Sequence, residues 1–361
     1  MTVKKTVIAM AALFIISGIA LIAAPAASAD APSDFEPFAV TNSVGTHVTF
    51  TEPAQKVASL GLSFTTTLLE LGCIDRLVLI DNYSSPASSG ISELNGIPSY
   101  PVSTGEQIAQ LLANGHNGFD KERDVVFIYG YSYHAAAIAA MEVLGLKVVT
   151  FYPTTYEMGM GMVTGIGAIM GLDEKAADIV NKMRTALTYY SGMLASNNIS
   201  SPDSRVRAVY VSYSGGNLKV GNVNSYSVTL MKIAGGINPA DDDTQIGSAL
   251  TSYAVDDSMF LQLDIDVIFL DPYYLGTPAE FRAEKNLGAG VKIYKLTMPM
   301  NQYGPASLEG IKFMAQAMYP EIFDPLEWGE DDTVPENYML YVAAVSIIVS
   351  AAAVAYVVLR R

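Results

Sequence analysis

Short apolar runs alternate with amphipathic stretches over residues 39–152, and this alternation predicts an α/β lobe built around a parallel sheet. Residues 125–129 are apolar without interruption, which is typical of a parallel strand that is buried on both faces. Further elements of this lobe are predicted as strands at 57–60, 77–80 and 147–151 and as helices at 66–71, 106–113 and 134–144.

Residues 153–204 have a helical pattern, and they predict a helical connection between two halves of the chain. Four glycines interrupt residues 155–170, and since an isolated glycine costs a helix about 1 kcal/mol, they predict a close approach of this helix to a sheet. A long helix is predicted from Glu174 to about Ser196. Strands and helices alternate again over residues 205–327, with strands predicted at 206–212, 267–270 and 291–296. The predicted fold is therefore α/β, with two lobes, each holding a parallel-type sheet flanked by helices, joined by a long backbone helix.

Each end of the chain carries a long apolar segment. Residues 1–29 have a basic start, an apolar middle and an Ala-Ser-Ala site, so they predict a secretory signal peptide, with an uncleaved anchor as the alternative. A leader (30–38) follows it. Residues 338–359 contain no charged side chain and precede two arginines, which predicts a transmembrane helix joined to the second lobe by a linker (328–337). We therefore expect an exported monomer with a single C-terminal pass through the cell membrane and its binding domain outside the cell.

Composition excludes several classes of partner and activity. The formal net charge is −15, and the two terminal segments hold four bases and no acid, so the part between them is more acidic still. Such a charge argues against nucleic acid as a partner. The single cysteine, Cys73, excludes an intramolecular disulfide. The sequence contains no nucleotide-binding loop, nucleophile elbow or zinc-protease motif, so we expect neither an enzyme nor a resident cofactor.

Four short motifs occur in order along the chain. Residues 55–79 carry Lys-Val-Ala-Ser-Leu, Leu-Glu-Leu-Gly and Asp-Arg-Leu-Val-Leu; residues 124–128 read Asp-Val-Val-Phe-Ile; residues 230–238 end in Ala-Gly-Gly-Ile-Asn; and residues 263–270 read Leu-Asp-Ile-Asp-Val-Ile-Phe-Leu. Together they resemble the helical-backbone (class III) family of periplasmic binding proteins, which serve ABC importers of ferric siderophores, haem and vitamin B12. The resemblance covers about residues 40–327. It departs from the family pattern at Gly61-Leu62, where Ser-Pro is usual, and at Thr66, where a glutamate is usual.

The resemblance implies a function and two partners. It implies that an iron complex (siderophore or haem) or a cobalamin-type corrinoid is captured between the lobes and delivered to an ABC permease and its ATPase. Acids on the outer surface of each lobe would dock on the permease, and the match places them at Glu106 and, less directly, at Asp257. A stiff helical connection predicts small lobe motion and a largely preformed cleft.

Tyrosines are frequent in the loops that follow the predicted strands, and a phenol ring offers both a flat apolar face and a hydrogen-bonding group. Because basic residues are scarce in these loops, a neutral or weakly charged ligand is favoured. The alternatives are a surface or adhesion protein that reuses the lobed fold, or a protein that binds a bare metal ion. The predicted ligand contacts are Ser63, Tyr83, Tyr131, Tyr156, Tyr213, Asn222, Tyr226, Tyr273 and Tyr303.

Overall fold

The computed structural model describes residues 21–23, 35–42, 45–214, 217–241 and 251–324, with the backbone alone for 21–23, 213, 214 and 217. Most of the predicted signal peptide lies outside these residues, and so do the whole predicted linker and the whole predicted transmembrane helix. Within the described ranges, no helix is both long enough and apolar enough to cross a lipid bilayer.

A small antiparallel sheet precedes the first lobe. Strand β1 lies inside the predicted signal peptide, so cleavage after Ala29 would remove it and leave a two-stranded hairpin. The strands are β1 (Leu21–Ala23), β2 (Phe38–Thr41) and β3 (His47–Phe50).

The N-terminal lobe contains a parallel sheet of five strands in the order β6-β5-β4-β7-β8, which confirms the predicted parallel arrangement. Every residue of its central strand is buried, because helices cover both faces of the sheet. The strands are β4 (Val57–Leu60), β5 (Leu77–Asp81), β6 (Ser99–Tyr100), β7 (Val125–Tyr129) and β8 (Lys147–Phe151), and the helices are α1 (Leu62–Glu70), α2 (Pro86–Ser89), α3 (Gly105–Ala113) and α4 (Ala135–Val143).

Two helices, α5 (Tyr156–Met170) and α6 (Asp173–Ser196), connect the lobes. They approach each other closely at Gly167, where a Cβ atom would lie 2.2 Å from the Cβ of Ala176. Two glycines of α5, Gly165 and Gly167, therefore do have a packing reason. At Gly167 it is helix against helix, whereas Gly165 faces the ring of Phe151 in the sheet.

Alanine at Gly167 is expected to destabilise the fold by about 1–3 kcal/mol, because the added methyl group forces α5 and α6 apart. Gly192 of α6 is the matched control, since a Cβ there meets nothing within 4 Å and alanine should stabilise the helix by about 0.5–1 kcal/mol. Urea unfolding followed by circular dichroism measures both variants. Equal stabilisation by the two substitutions would contradict the close helix contact.

The C-terminal lobe has a five-stranded mixed sheet, in the order β11-β10-β9-β12-β13, where a parallel-type sheet was expected. Strands β9, β12 and β13 are parallel, whereas β10 returns antiparallel to β9 after a two-residue connection and β11 is antiparallel to β10. The strands are β9 (Ala208–Ser214), β10 (Asn217–Gly221), β11 (Ser252–Ala254), β12 (Val267–Leu270) and β13 (Lys292–Lys295), and the helices are α7 (Tyr226–Ile233), α8 (Asp257–Gln262), α9 (Pro278–Glu284), α10 (Ser307–Met318) and α11 (Pro320–Phe323).

One hydrophobic core runs through both lobes. It joins Phe64 and Phe127 of the first lobe to Phe269 and Phe313 of the second through buried side chains of α5 and α6, such as Met183. Because moving one lobe as a rigid body would disrupt this packing, the shared core favours small relative motion of the lobes.

Candidate functional site

Loops that follow the strands of the two sheets meet at a cleft between the lobes. Tyr83 follows β5 and Tyr273 follows β12, and their rings meet edge to face with centroids 5.6 Å apart. The hydroxyls of Tyr131, after β7, and Tyr303, after β13, lie 3.2 Å apart in a hydrogen bond. In α/β folds, ligands bind at the carboxyl ends of the strands, which is where these four tyrosines lie.

The N-terminal lobe contributes a group of stacked tyrosines to this cleft, here called the tyrosine wall: Tyr129, Tyr131, Tyr133 and Tyr152. The ring of Tyr131 lies at its centre, 5.1 Å from Tyr129, 5.1 Å from Tyr133 and 5.2 Å from Tyr152. Tyr129 ends β7, and Tyr133 lies in a short 3-10 helix, Ser132–His134, that begins directly after Tyr131 and turns the ring of Tyr133 back onto that of Tyr131. The wall presents an aromatic surface to the cleft, and its outermost ring, Tyr133, is 74% exposed.

Burial keeps three phenols of the tyrosine wall, those of Tyr129, Tyr131 and Tyr133, protonated at physiological pH, because it raises their pKa. Burial raises the pKa of Tyr129 and of Tyr131 well above the ordinary value. Burial, followed by the nearby Tyr303, raises the pKa of Tyr133 to about 12. These groups therefore act as hydrogen-bond donors and stacking surfaces, and not as phenolates, unless a bound metal displaces the proton.

A histidine lies beside the wall. The ring of His134 is 4.4 Å from that of Tyr133, and its Nδ1 donates a hydrogen bond of 3.0 Å to the carbonyl oxygen of Tyr129. Burial lowers the pKa of His134, although the bond to Tyr129 opposes this shift. Since Nδ1 carries the proton, the neutral ring keeps the lone pair on Nε2, as a metal-binding imidazole does.

Ser63, at the start of α1, ties the lobes together at the base of the cleft. Its hydroxyl donates to Oε1 of Gln302 (3.1 Å) and accepts bonds from the Tyr129 hydroxyl (2.7 Å) and the Tyr303 backbone N–H (3.0 Å). Since the side chain is fully buried and its hydrogen bonds are made within the protein, the predicted ligand contact at Ser63 is replaced by a structural role.

Three other predicted contacts are buried away from the cleft surface. Tyr156 is 1% exposed and donates to the carbonyl oxygen of Met183, and Asn222 is 1% exposed and accepts a bond from the backbone N–H of Asn224. Tyr226 is 6% exposed and packs under Tyr303. The sequence correctly predicted that these three residues lie near the ends of strands. In the structure, however, their side chains point into the core. The side chain of Tyr213 lies outside the described residues.

Tyrosines from the two lobes are in contact across the cleft. The contacts Tyr83–Tyr273 and Tyr131–Tyr303 lie where a ligand was expected, so the prediction of a largely preformed cleft does not describe this conformation. Tyr83 and Tyr273 nevertheless remain 46% and 47% exposed, so both rings are accessible from the entrance.

Two buried carboxyl groups lie beneath the tyrosines. Asp81 ends β5 and accepts hydrogen bonds from the backbone N–H and the hydroxyl of Ser84. Asp271 follows β12 and accepts from the Tyr210 hydroxyl (2.5 Å) and the Tyr273 backbone N–H (2.6 Å). Sequence reasoning missed both residues, although an Asp-x-Tyr triplet after two separate strands, at 81–83 and 271–273, could have indicated them.

Burial governs the protonation of these two acids. It raises the pKa of Asp81 to about 6, in spite of the opposing hydrogen bonds from Ser84. It also raises the pKa of Asp271, against the hydrogen bond from Tyr210. Both carboxyl groups act on Tyr273, whose pKa is raised first by burial and then by Tyr83, Asp271 and Asp81. The floor of the cleft therefore holds two carboxyl groups that give up their protons less readily than exposed ones.

The two acids predicted to dock on a permease lie on outer helices. Glu106 is exposed in the first turn of α3. Asp257 is exposed in the first turn of α8, and its carboxylate forms an ion pair of 3.0 Å with Lys285. A negative charge is also favourable at a helix N-terminus on its own, so the docking role of both residues stays a prediction.

The described part of the chain contains no group of three or more His, Cys, Asp or Glu side chains arranged to hold a metal ion. A bare transition-metal ion needs such a set of donors. The alternative of a protein for a bare metal ion therefore has no candidate site in that part of the chain.

No family model and no curated protein matches the chain. Several solved structures, however, do match the chain. A periplasmic solute-binding protein from Veillonella parvula is 19% identical, with a TM-score of 0.59 over 81% of this chain and 89% of that one. The chain therefore has the fold of the periplasmic solute-binding proteins. A periplasmic haem-binding protein from Pseudomonas aeruginosa is 20% identical, with a TM-score of 0.59 over 78% of this chain and 99% of the other. An ABC-type Fe3+-hydroxamate transport protein from Saccharomonospora viridis is 18% identical, with a TM-score of 0.54 over 76% and 96%.

Proposed function

We propose that this chain is the extracytoplasmic solute-binding component of an ABC importer, exported and held at the outer face of the cell membrane by residues 338–359. It captures a bulky chelate between its lobes, either an iron complex (siderophore or haem) or a cobalamin-type corrinoid, and delivers it to the permease and its ATPase. The observation that carries this proposal is the meeting of tyrosines from both lobes at the carboxyl ends of their strands.

The chemistry of the cleft favours a flat or macrocyclic ligand of low charge. Four rings of the tyrosine wall and the exposed ring of Tyr273 supply aromatic faces, and the protonated phenols of Tyr129, Tyr131 and Tyr133 supply hydrogen bonds. The acids beneath them, Asp81 and Asp271, would repel a strongly anionic chelate. The cationic side chain Lys295 lies near Asp271 and partly offsets it.

Ligand entry requires the closing tyrosines to separate. The edge-to-face contact of Tyr83 and Tyr273 contributes about 0.5–1.5 kcal/mol, and so does the hydrogen bond between Tyr131 and Tyr303. A planar ligand that stacks between the rings replaces the aromatic contact, and its polar groups replace the hydrogen bond when they bond to the two phenols. Side-chain rotation and a small lobe movement are therefore sufficient, which is consistent with the hydrophobic core shared by the lobes.

Binding of a chelate tests the proposal. The full-length protein is titrated in detergent with haem, a ferric hydroxamate and cyanocobalamin, and binding is followed by absorbance and by the melting temperature. At least one ligand should bind, and replacing both Tyr83 and Tyr273 by alanine should weaken it by about tenfold or more, since two aromatic contacts are lost.

Tyr189→Ala is the control, because this tyrosine is 51% exposed on α6, away from the cleft. If haem is the ligand, His134→Ala should change the haem absorption spectrum, since Nε2 of His134 is the nitrogen available to the iron. A folded protein that binds no member of the panel, or one whose affinity is the same in the double variant, would refute the proposed function.

A further inference from the structure

Three tyrosine rings at the entrance of the cleft are open to solvent. Tyr83, Tyr133 and Tyr273 are 46%, 74% and 47% exposed. The planes of the Tyr83 and Tyr273 rings are nearly perpendicular, at 86°, with their centroids 5.6 Å apart, so the two rings form a corner. Electrostatic interactions link Tyr133 to both of them, which places the third ring beside this corner. A small group that enters the corner therefore meets aromatic rings on more than one side.

The protein holds these rings in place from behind. The ring of Tyr133 stacks on that of Tyr131 with an angle of 20° and a centroid distance of 5.1 Å. The backbone N–H of Tyr273 donates a hydrogen bond of 2.6 Å to the carboxylate of Asp271. The exposed rings at the entrance are thus attached to ordered parts of each lobe, and a ligand group that contacts them does not have to order the loops first.

Two carboxyl groups set the electrostatic potential at this corner. Asp81 and Asp271 lie two residues before the two tyrosines that form it, and both interact electrostatically with Tyr273. They are 3% and 7% exposed, so a ligand does not touch them, and their charge acts through the intervening protein, where water screens it weakly. The ammonium group of Lys295 interacts with Asp271 and offsets one of the two charges. The potential at the corner is therefore negative when both carboxyl groups are ionised.

Aromatic faces above a negative potential recognise an organic cation. The face of a phenol ring attracts a primary or quaternary ammonium group, and the buried carboxylates add to this attraction. An anion would be repelled by the same carboxylates, and a neutral apolar group would gain nothing from them. Among the described residues, no cation lies over the three exposed rings, whereas Lys147 lies 5.2 Å from the centroid of Phe50 elsewhere in the protein. The ring faces at the entrance are therefore available to a cation of the ligand.

We propose that the ligand of the cleft carries an organic ammonium group, which binds against the rings of Tyr83, Tyr133 and Tyr273. This inference rests on the proposed function, because it takes the cleft as the place where the ligand is captured. It narrows the ligand to chelates with an arm that ends in a protonated amine or a quaternary ammonium group, and it disfavours chelates whose outer groups are all carboxylates.

Two matched pairs of ligands isolate the effect of the positive charge. The first pair is choline and the neutral alcohol in which a carbon atom replaces its nitrogen. The second pair is a linear ferric trihydroxamate that ends in a primary amine and its N-acetyl derivative. Each is titrated by calorimetry at pH 8 into the full-length protein in a non-ionic detergent. The cationic member of a pair should bind about tenfold more tightly than the neutral member, or more, because only it gains from the ring faces and the carboxylates.

Two variants separate the role of the rings from that of the buried charge. Replacing both Tyr83 and Tyr273 by leucine should abolish the preference for the cation, whereas Tyr189→Leu, on an exposed part of α6, should leave it unchanged. Asp81→Asn keeps all three rings and should weaken choline by about threefold or more, without affecting the neutral alcohol. Asp75→Asn removes an exposed carboxyl of the same lobe and is the matched control for net charge. Melting temperatures verify that each variant is folded.

The outcomes distinguish this inference from the proposed function. The inference is wrong if neither pair shows a preference for its cationic member, and equally if the double leucine variant retains the preference, since the cation would then bind elsewhere. In either case, binding of a chelate would leave the proposed function intact. Conversely, a preference for choline that depends on the two tyrosines, in a protein that binds no chelate, would support the ammonium site and contradict the chelate as ligand.

Discussion

Replacement of Asp124 by alanine should lower the free energy of unfolding by about 3–5 kcal/mol. Asp124 is fully buried before β7, and its carboxylate accepts bonds from the backbone N–H groups of Gln55 (3.0 Å), Lys56 (2.9 Å) and Asp120 (2.8 Å). The Arg123 guanidinium adds an ion pair of 2.9 Å. Alanine leaves three N–H donors and a guanidinium without their acceptor, and each orphaned donor costs about 1–3 kcal/mol.

The same network predicts how stability depends on pH. Burial raises the pKa of Asp124, but the hydrogen bonds from Arg123, Asp120, Lys56 and Gln55 outweigh burial and hold the pKa below its ordinary value. A carboxyl group whose pKa is lowered by folding stabilises the fold above its unfolded pKa of about 3.9, and this stabilisation is lost as the pH falls through the folded pKa. Asp124→Ala should therefore be less sensitive to acid than the wild type.

Urea unfolding at pH 7 and at pH 3 measures both effects. Asp178→Ala is the control, since Asp178 is an exposed carboxyl on α6, and its removal should change stability by less than about 0.5 kcal/mol. A loss below about 1 kcal/mol for Asp124→Ala at pH 7 would contradict the anchoring role of this carboxylate.

Asp124 also shows what the sequence does and does not reveal. The apolar run after Asp124 predicted a strand at residues 125–129, and β7 does occupy Val125–Tyr129. The prediction held because an unbroken apolar run of this length is typical of a strand that is covered on both faces of a sheet. The hydrogen-bond partners of Asp124 at Gln55 and Lys56 lie 69 and 68 positions away. No local pattern indicates such a contact, so the role of the aspartate became visible only in the folded chain.

In the C-terminal sheet the parallel strands were predicted, whereas the antiparallel strand β10 was missed for a local reason. Residues 217–221 offer only Leu218 and Val220 as alternating apolar positions, too short a pattern to be told from a loop. Strand β10 forms by pairing in register with β9, with Leu218 opposite Tyr213 and Val220 opposite Val211. Tertiary pairing, and not intrinsic propensity, decides its conformation.

The candidate site was predictable as a set of loops but not as a set of side chains. Tyr131 and Tyr156 both follow strands, yet the first lies in the cleft and the second is buried against α6. The direction of each side chain depends on packing between elements that are distant in sequence, such as Ser63 and Gln302, 239 positions apart. The sequence thus indicated that tyrosines of both lobes would line the cleft, but not that their side chains would touch each other.

The second large effect concerns Asp81, whose replacement by asparagine should stabilise the protein at pH 8 and not at pH 4. Asp81 is 3% exposed, and it ends a buried chain of hydroxyl groups in which Ser84 lies 3.0 Å from Thr65 and Thr65 lies 2.8 Å from Ser59. Burial is the main cause that raises its pKa to about 6, so the ionised form is disfavoured in the folded protein.

The sign follows from the two pKa values. The folded pKa of about 6 lies above the unfolded value of about 3.9, so the contribution of Asp81 to stability is complete below pH 3.9 and is lost as the pH rises through 6. Asparagine keeps an oxygen acceptor for Ser84 but never ionises. The variant should therefore gain about 1–3 kcal/mol over the wild type at pH 8 and nothing at pH 4.

Urea unfolding at pH 4, 6 and 8 tests this difference, with Asp75→Asn, an exposed carboxyl of the same lobe, as the control. A gain that is the same at all three values would point to improved packing, and a loss at pH 8 would show that the folded protein prefers the carboxylate. The expected outcome carries a consequence for binding, because Asp81 also acts on Tyr273 across the cleft. Above pH 6 its negative charge lies beneath the two tyrosines that close the entrance, so a cationic or neutral chelate gains relative to an anionic one as the carboxyl group ionises.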